Sequence, residues 1–488
     1  MCAFSAMACS SSEGAKANAG GSDSGGGSDG GGGRPGGGRP ASGGGGGSPA
    51  SSGRPATGGE TPGNGTPDGP GSGPCDLKAA TFCEALDKPA PGGRAGDLDE
   101  TLWSMARASQ KVNSGQGELI SWPQVPMSAC GKTTMVFPDQ DSIICTNPTT
   151  GRKELTSVFD DAEGPVFQSL RAIQPFDFDG RVGHISLDID AKTRTPEGHG
   201  WWWELVIADE PVPVPYQEFV SHALMAHKGV VIEFEGISSF DGSTNEVSHV
   251  FVEDGYKYAH EFAREQVNFS SFATKEEVLN HLEILISKDT LEVYATDLDD
   301  MSTFRRVAHL DGLGLSFTRG YVNLQHSQYN AAKSGQLDRF VTYHIGELGF
   351  DGPALPRARS YQVPDALGTG RTPDVKNLGY LVDNDMAATT TSFTLDAVDT
   401  SDATEARINF NAWYFTSERS IQFRLNGGTW HTFKHPYPDS SPQTRAVTIP
   451  VDLADLKDGS NALELRTTGT STQPPMVICS VELEVVPK

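Results

Sequence analysis

Phe176-Asp-Phe-Asp-Gly-Arg-Val-Gly-His-Ile-Ser-Leu-Asp-Ile-Asp190 is the stretch on which the reading of the fold turns. From His184 its side chains alternate: Ile185, Leu187 and Ile189 are apolar, and His184, Ser186, Asp188 and Asp190 are polar. Successive residues of a strand point to opposite faces, so this is a strand with one apolar face. The same period recurs outward along the chain. Val230 to Glu235 sets Ile232 and Phe234 against Glu233 and Glu235, and Trp201 to Ile207 is a nearly continuous apolar run. Leu282-Glu-Ile-Leu-Ile-Ser and Leu291-Glu-Val-Tyr-Ala-Thr read as a hairpin joined by Lys288-Asp289, and Tyr321 to Asn330 and Arg339 to Glu347 add two more strands. Helix-like texture is confined to Asp97–Lys111 and Lys275–Leu282. Many short strands, each with one apolar face, predict two packed sheets over residues 75–353.

The succession of Phe176–Asp190, a Trp-rich strand, Leu282–Ser287, Gly320-Tyr-Val-Asn-Leu324 and Phe350-Asp-Gly-Pro353 resembles the concanavalin A-like lectin/glucanase jelly roll. That resemblance implies a lectin, glucanase, lyase or adhesive domain, and the fold alone does not choose among them. Beyond it, Ser392–Val398, Arg407–Tyr414, Ile421–Leu425, Ala446–Leu453, Ala462–Arg466 and Val477–Val486 alternate again and predict a small β-sandwich over 375–488, with 354–374 as linker. Within it, Val451 to Leu465 resembles a strand-turn element of galactose-binding-like jelly rolls. The resemblance implies Gly459 and Asn461 in the turn and Leu456, Leu463 and Leu465 in the core of a carbohydrate-binding-module-like sandwich. The expected class is therefore all-β: two β-sandwich (jelly-roll-like) domains after a disordered Gly/Ser/Pro-rich tail.

That tail spans residues 10–74. Its composition buries too little apolar surface to offset chain entropy, and as a flexible coil of about 65 residues it reaches roughly 45 Å. Before it, Ala6-Met7-Ala8-Cys9 resembles a bacterial lipobox, which implies lipidation at Cys9 and a remnant lipoprotein signal over 1–9. The basic n-region is missing and the apolar stretch is short for such a signal. Cys75 with Cys83 and Cys130 with Cys145 flank loop-like segments and read as two disulfides, hence an oxidising compartment. A net charge of -25 leaves no cationic face for nucleic acid. It also leaves a lipid anchor as the route to a membrane, since no window approaches 18 consecutive apolar residues. The expected location is extracytoplasmic, at the cell envelope or surface.

The Glu-x-Asp-x-Glu face of laminarinase-like members is absent. The nearest pieces, Asp188/Asp190 and Glu233/Glu235, read as solvated outer faces. On a strand, Trp202 and Glu204 share a face, which offers a stacking platform and a hydroxyl acceptor to a sugar ring, and the stiff Pro211–Pro215 segment ending at Tyr216 suits a groove wall. Asn323, Gln325 and Tyr329 share a face of a segment that resembles the last motif strand of alginate-lyase-type jelly rolls, with Arg339 and His344 on the next strand. Trp430 is the exposed aromatic candidate of the second domain. No metal ligands or cofactor are read from spacing; Asp297-Leu-Asp-Asp300 reads as the end of a strand, with a structural calcium loop as the alternative. The expected function is a surface-tethered carbohydrate-binding or adhesive lipoprotein whose partner is a glycan or polysaccharide. The alternatives are a polysaccharide-degrading enzyme (hydrolase before lyase) using Glu204, Glu233, Glu235 or Tyr329, and a structural envelope protein.

Overall fold

The structure is a computed structural model. It describes residues 67, 73–87, 99, 101–109, 125–129, 132–136, 142–146, 153–160, 166–189, 199–211, 227–238, 244–254, 258–262, 279–297, 300–330, 340–362, 379–381, 390–413, 420–434, 445–468 and 477–488. Residues 1–60 form one unit, all of it outside the described residues, and 61–488 form the other. Cys9 and the tail therefore lie outside the described residues, as do Cys130 and Tyr216.

The central sandwich has two antiparallel sheets. The first runs Asp300–Asp311, Thr290–Asp297, Asn280–Ile286, Gly183–Ile189, Phe340–Asp351, Lys153–Asp160 and Ser142–Thr146 in spatial order, and Ala80–Glu84 also pairs with Phe340–Asp351. The second runs Tyr258–Glu261, Thr244–Asp254, Lys228–Ser238, His199–Ala208, Arg319–Asn330, Val166–Ala172 and Trp103–Ser109. The predicted alternation supplies the core between them. Ile185, Leu187, Ile189, Leu282, Ile284 and Leu291 face Leu205, Ile207, Val230, Ile232, Val322 and Leu324. The predicted hairpin forms with Ile286 opposite Leu291, closed by Ser287 N donating to Thr290 O at 2.9 Å.

The opening stretch shows why this region nucleates the reading. Phe176 and Phe178 are fully buried in the core. Asp177 accepts from Asp179 N at 2.9 Å and from Arg319 Nε at 3.0 Å, which fixes the turn into the Gly183–Ile189 strand.

Two expectations are overturned. Helix-like texture in Asp97–Lys111 gives way to the Trp103–Ser109 strand, because pairing with Val166–Ala172 and burial of Trp103 outweigh local propensity. Asn280–Leu282, read as the end of a helix, belongs to a strand held on both sides. Among the described residues the helical elements are 3₁₀ turns, at Pro74–Asp76 and Leu453–Asp455.

The second sandwich packs the sheet of Arg359–Gln362, Val477–Pro487, Ala403–Trp413 and Arg445–Val451 against that of Thr391–Val398, Gly459–Thr468, Ser420–Leu425 and His431–Lys434. Arg359–Gln362, read as linker, pairs with Val477–Pro487. Leu456, Leu463 and Leu465 are buried in its core, and Gly459 takes φ +90°, where glycine is favoured. Asn461 is fully buried and ties the turn, donating to Lys457 O at 2.8 Å and accepting from Lys457 N at 3.1 Å.

The two sandwiches meet through a buried ionic seam. Arg171 of the central sandwich pairs with Glu482 and with Glu484, the latter at 2.6 Å, and Arg407 pairs with Glu484 at 2.7 Å. Arg407 also donates to the Tyr321 hydroxyl and lies 5.1 Å from that ring's centroid. Ser104, Ser360 and Asn409 donate to Glu482 at 2.7, 3.0 and 3.1 Å. Burial alone would raise the Glu484 pKa, but the Arg171 and Arg407 charges outweigh it and hold the carboxyl well below its usual range.

Candidate functional site

The face of the second sheet turned away from the core carries the predicted site. Register sets Glu204 opposite Glu233 on one side and Gln325 on the other. The next rung sets Trp202 opposite Glu235 and Ser327, and the next sets Gly200 opposite Ile237 and Tyr329. In the other direction Val206 stands opposite Val231 and Asn323, and Asn323 opposite Arg171. Trp202, Glu204, Glu233, Glu235, Asn323, Gln325 and Tyr329 come from three separated segments, and strand alternation puts all seven on one face.

This face is not an open solvated surface. Glu204, Glu233 and Asn323 are at most 1% exposed and Gln325 is 5% exposed. The reading of Glu233 as part of a solvated face is thus overturned, as is that of Asp188, which is 1% exposed. Both sit on interior strands of broad sheets, paired on either side by neighbouring strands. Asn323 donates from Nδ2 to Tyr321 O at 3.3 Å, while its Oδ1 and both amide atoms of Gln325 find no hydrogen-bond partner among the described residues. The side chains of Trp202, Glu235 and Tyr329 lie outside the described residues, as does all of Tyr216.

The second sandwich closes one end of the face, because Arg171 and Tyr321 carry its seam. The Glu204 and Trp202 rungs lie progressively farther along. The six steps from Asn323 to Tyr329 span about 20 Å at roughly 3.3 Å per residue.

Trp430 sits apart, in the second sandwich, with Arg466 3.9 Å and Arg424 4.6 Å from its ring centroid. Arg424 makes a two-pronged pair with Glu464 at 2.6 and 2.9 Å, and Arg466 donates to Gln422 at 2.7 Å. Cation–π contact with two guanidiniums accounts for a half-buried indole here, and the structure does not bring it to the Trp202 face.

On the outer face of the first sheet lies a cluster that sequence reasoning missed. His281 is fully buried, with Nδ1 2.7 Å from Asp188 Oδ1 and 3.7 Å from Asp76 Oδ2, and Nε2 3.1 Å from Glu283 Oε1. His184 Nε2 lies 2.8 Å from the other oxygen of Glu283. Burial alone would lower the His281 pKa; hydrogen bonds donated to Asp188 and Glu283, with the charges of Asp188 and Asp76, raise it to about 9. Burial would likewise raise Glu283, but its two imidazole partners hold it below the usual carboxylate range. Residues 76, 188 and 281 are too far apart for any spacing motif. The only local signal was the polar alternation of His184 and Asp188.

The Cys75–Cys83 disulfide expected from sequence is present. The Cys130–Cys145 expectation falls outside the described residues at Cys130, and Cys145 lies in the Ser142–Thr146 strand. Asp297 and Asp300 end and begin paired strands. Asp76, Asp188 and His281 instead offer two carboxylates and one imidazole nitrogen within reach of one another, a set that could hold a structural metal ion. No described helix is long and apolar enough to cross a membrane.

The fold and this face define a two-sheet β-sandwich with a buried polar floor on one sheet, joined to a second sandwich. No family model matches the chain, and no curated protein matches it. Among solved structures it is similar to the exoplasmic/lumenal domain of VIP36 in its Ca2+/Man2-bound form, with 15% identity, 40% of this chain and 75% of that one covered, and a TM-score of 0.27. It is also similar to lectin UEA-II complexed with galactose (13% identity, 44% and 93% covered, TM-score 0.28) and to peanut lectin with a 9mer peptide (13%, 44% and 90%, TM-score 0.26).

Proposed function

We propose that this is an exported, surface-tethered carbohydrate-binding protein that holds a glycan on the outer face of its second sheet, at the end bearing the Trp202 rung. The observation that carries the reading is the register, in which candidates from three segments fall on adjacent rungs of one face. An aromatic ring offers apolar contact to a pyranose, while carboxylates and amides offer partners to its hydroxyls. Gln325 adds support: an unmet buried amide costs on the order of 1–3 kcal/mol, and a ligand hydroxyl or a bridging water relieves that cost. Export is supported by the Cys75–Cys83 disulfide, and tethering by Cys9 and the Gly/Ser/Pro-rich composition of residues 10–74.

The test is a glycan array and polysaccharide pull-down on the full chain, with Trp202→Ala alongside and with reducing ends and unsaturated uronate assayed in the same wells. Binding that Trp202→Ala abolishes, without product, supports the reading. Release of reducing ends would move the assignment to hydrolysis by the Glu204/Glu233 pair, whose side chains stand on directly opposed residues. An unsaturated product would point to Tyr329 as base. Failure to bind any glycan would overturn the reading in favour of a protein partner.

A further inference from the structure

The cluster on the first sheet is built as a metal site is built. Ligand atoms of Asp76, Asp188 and His281 lie within 4.8 Å of one another, and all three residues are buried. His281 turns one ring nitrogen to the two aspartates and gives the other to Glu283. Glu283 is itself held by His184. A carboxylate that fixes the far nitrogen of a ligating imidazole is the usual outer partner in metal sites, setting tautomer and ring orientation.

The backbone makes room for this arrangement. A Cβ on Gly346 would lie 2.6 Å from Asp188 Cβ, and one on Gly349 would lie 2.5 Å from Cys75 Cβ. Both glycines lie on the Phe340–Asp351 strand. Asp76 arrives from the other side, on the segment closed by the Cys75–Cys83 disulfide. Cys75 and Asp76 are consecutive residues at φ +50° and +56°, a left-handed geometry that non-glycine residues seldom adopt, and it delivers the Asp76 carboxylate onto His281.

We propose that Asp76, Asp188 and His281 bind a divalent transition-metal ion, with zinc the best match, as a three-ligand site that pins the N-terminal disulfide loop to the first sheet. The donor set decides the metal class. An imidazole nitrogen with two carboxylate oxygens suits zinc and its neighbours, whereas magnesium and calcium take all-oxygen shells. Zinc bonds of about 2.0–2.1 Å put tetrahedral ligand atoms about 3.3 Å apart. The separations from His281 Nδ1, 2.7 Å to Asp188 and 3.7 Å to Asp76, bracket that value. Side-chain shifts of about half an ångström bring both aspartates to that separation from His281 Nδ1, with the ion taking the position of the proton on Nδ1. The site lies on the opposite sheet from the proposed glycan face, so either reading can fail while the other stands.

The test uses zinc itself on the full chain after chelator treatment, by titration calorimetry with metal content checked by mass spectrometry, and by zinc K-edge absorption. One zinc per chain in a shell of nitrogen and oxygen is expected. Asp76→Asn should weaken binding at least about tenfold and Glu283→Gln by about 10–100-fold, with intact mass confirming the disulfide and a thermal melt confirming the fold. Asp76→Asn is the primary variant because it alters the loop and leaves the sheet interior intact. Should that variant not fold, the absorption spectrum of the native chain decides, because a shell containing sulfur or lacking imidazole would overturn the proposal. No zinc uptake by the folded native chain, or uptake unchanged by Asp76→Asn, would overturn it as well.

Discussion

Both outer faces of the central sandwich carry buried polar groups, yet those groups are partnered in different ways. On the first sheet, His281 is surrounded by Asp76, Asp188 and Glu283, with His184 behind, and charge answers charge within a few ångströms. On the second sheet the far end is ionic in the same manner, where Arg171 meets Glu482 and Glu484, but the middle sets the amides Asn323 and Gln325 beside the carboxylates Glu204 and Glu233, and the amide atoms are not all met among the described residues. Buried polarity therefore has two meanings here. Where groups saturate one another they fix the placement of elements, a disulfide loop on one side and a second sandwich on the other. Where amides are left over, as at Asn323 and Gln325, the described residues leave buried donors and acceptors unmet.

The comparison can be broken hardest at the seam. Arg171→Ala leaves Glu482 and Glu484 buried with less compensation, and a loss of about 3–5 kcal/mol is expected in urea denaturation. A change under 1 kcal/mol would mean that the seam is solvated and the second sandwich is loosely held. The same seam should fail in acid. Because the folded pKa of Glu484 is depressed, its contribution is complete above the ordinary carboxylate value near 4.5 and is lost as pH falls below it toward the depressed folded value. Denaturation midpoints from pH 7 down to 3 should drop, and Glu484→Gln should flatten that dependence.

Replacing Cys75 and Cys83 with Ser tests the opposite closure. The sequence separation of 8 corresponds to a stabilisation of about 2–3 kcal/mol in the chain-entropy account. The loss should appear in thermal melts, with glycan binding retained. The smallest expected effect sharpens the contrast most. Gln325→Leu removes an unmet buried amide at similar volume, so stability should hold or rise by about 1 kcal/mol while glycan binding falls. A stability loss above 1 kcal/mol would show that the amide is satisfied in the native chain and is structural.

Much of this was legible in the sequence. Ile185, Leu187 and Ile189, the 282–296 hairpin, and Gly459 with Asn461 announced themselves because period-two alternation and turn chemistry are local. Trp103–Ser109 misled, because its helix-like pattern is overridden by pairing with Val166–Ala172. Of the candidate face, the sequence named the residues but not their convergence, and it took Glu233 and Asp188 for solvated positions. Alternation reports which side of a strand a residue is on and is silent about what lies across from it.

By itself, then, the sequence determined an all-β chain with two sandwich cores, a polar tail, an acidic character and a disulfide near residue 75, since each depends on composition or on neighbours a few residues away. Only the tertiary structure decided that Glu204, Glu233 and Gln325 share a rung, that Arg171 meets Glu484 across two sandwiches, and that Asp76, Asp188 and His281 meet at one point. Those contacts join residues up to 313 positions apart, as 484 − 171 shows, and the register and docking that create them are set by the packing of whole sheets rather than by any local pattern.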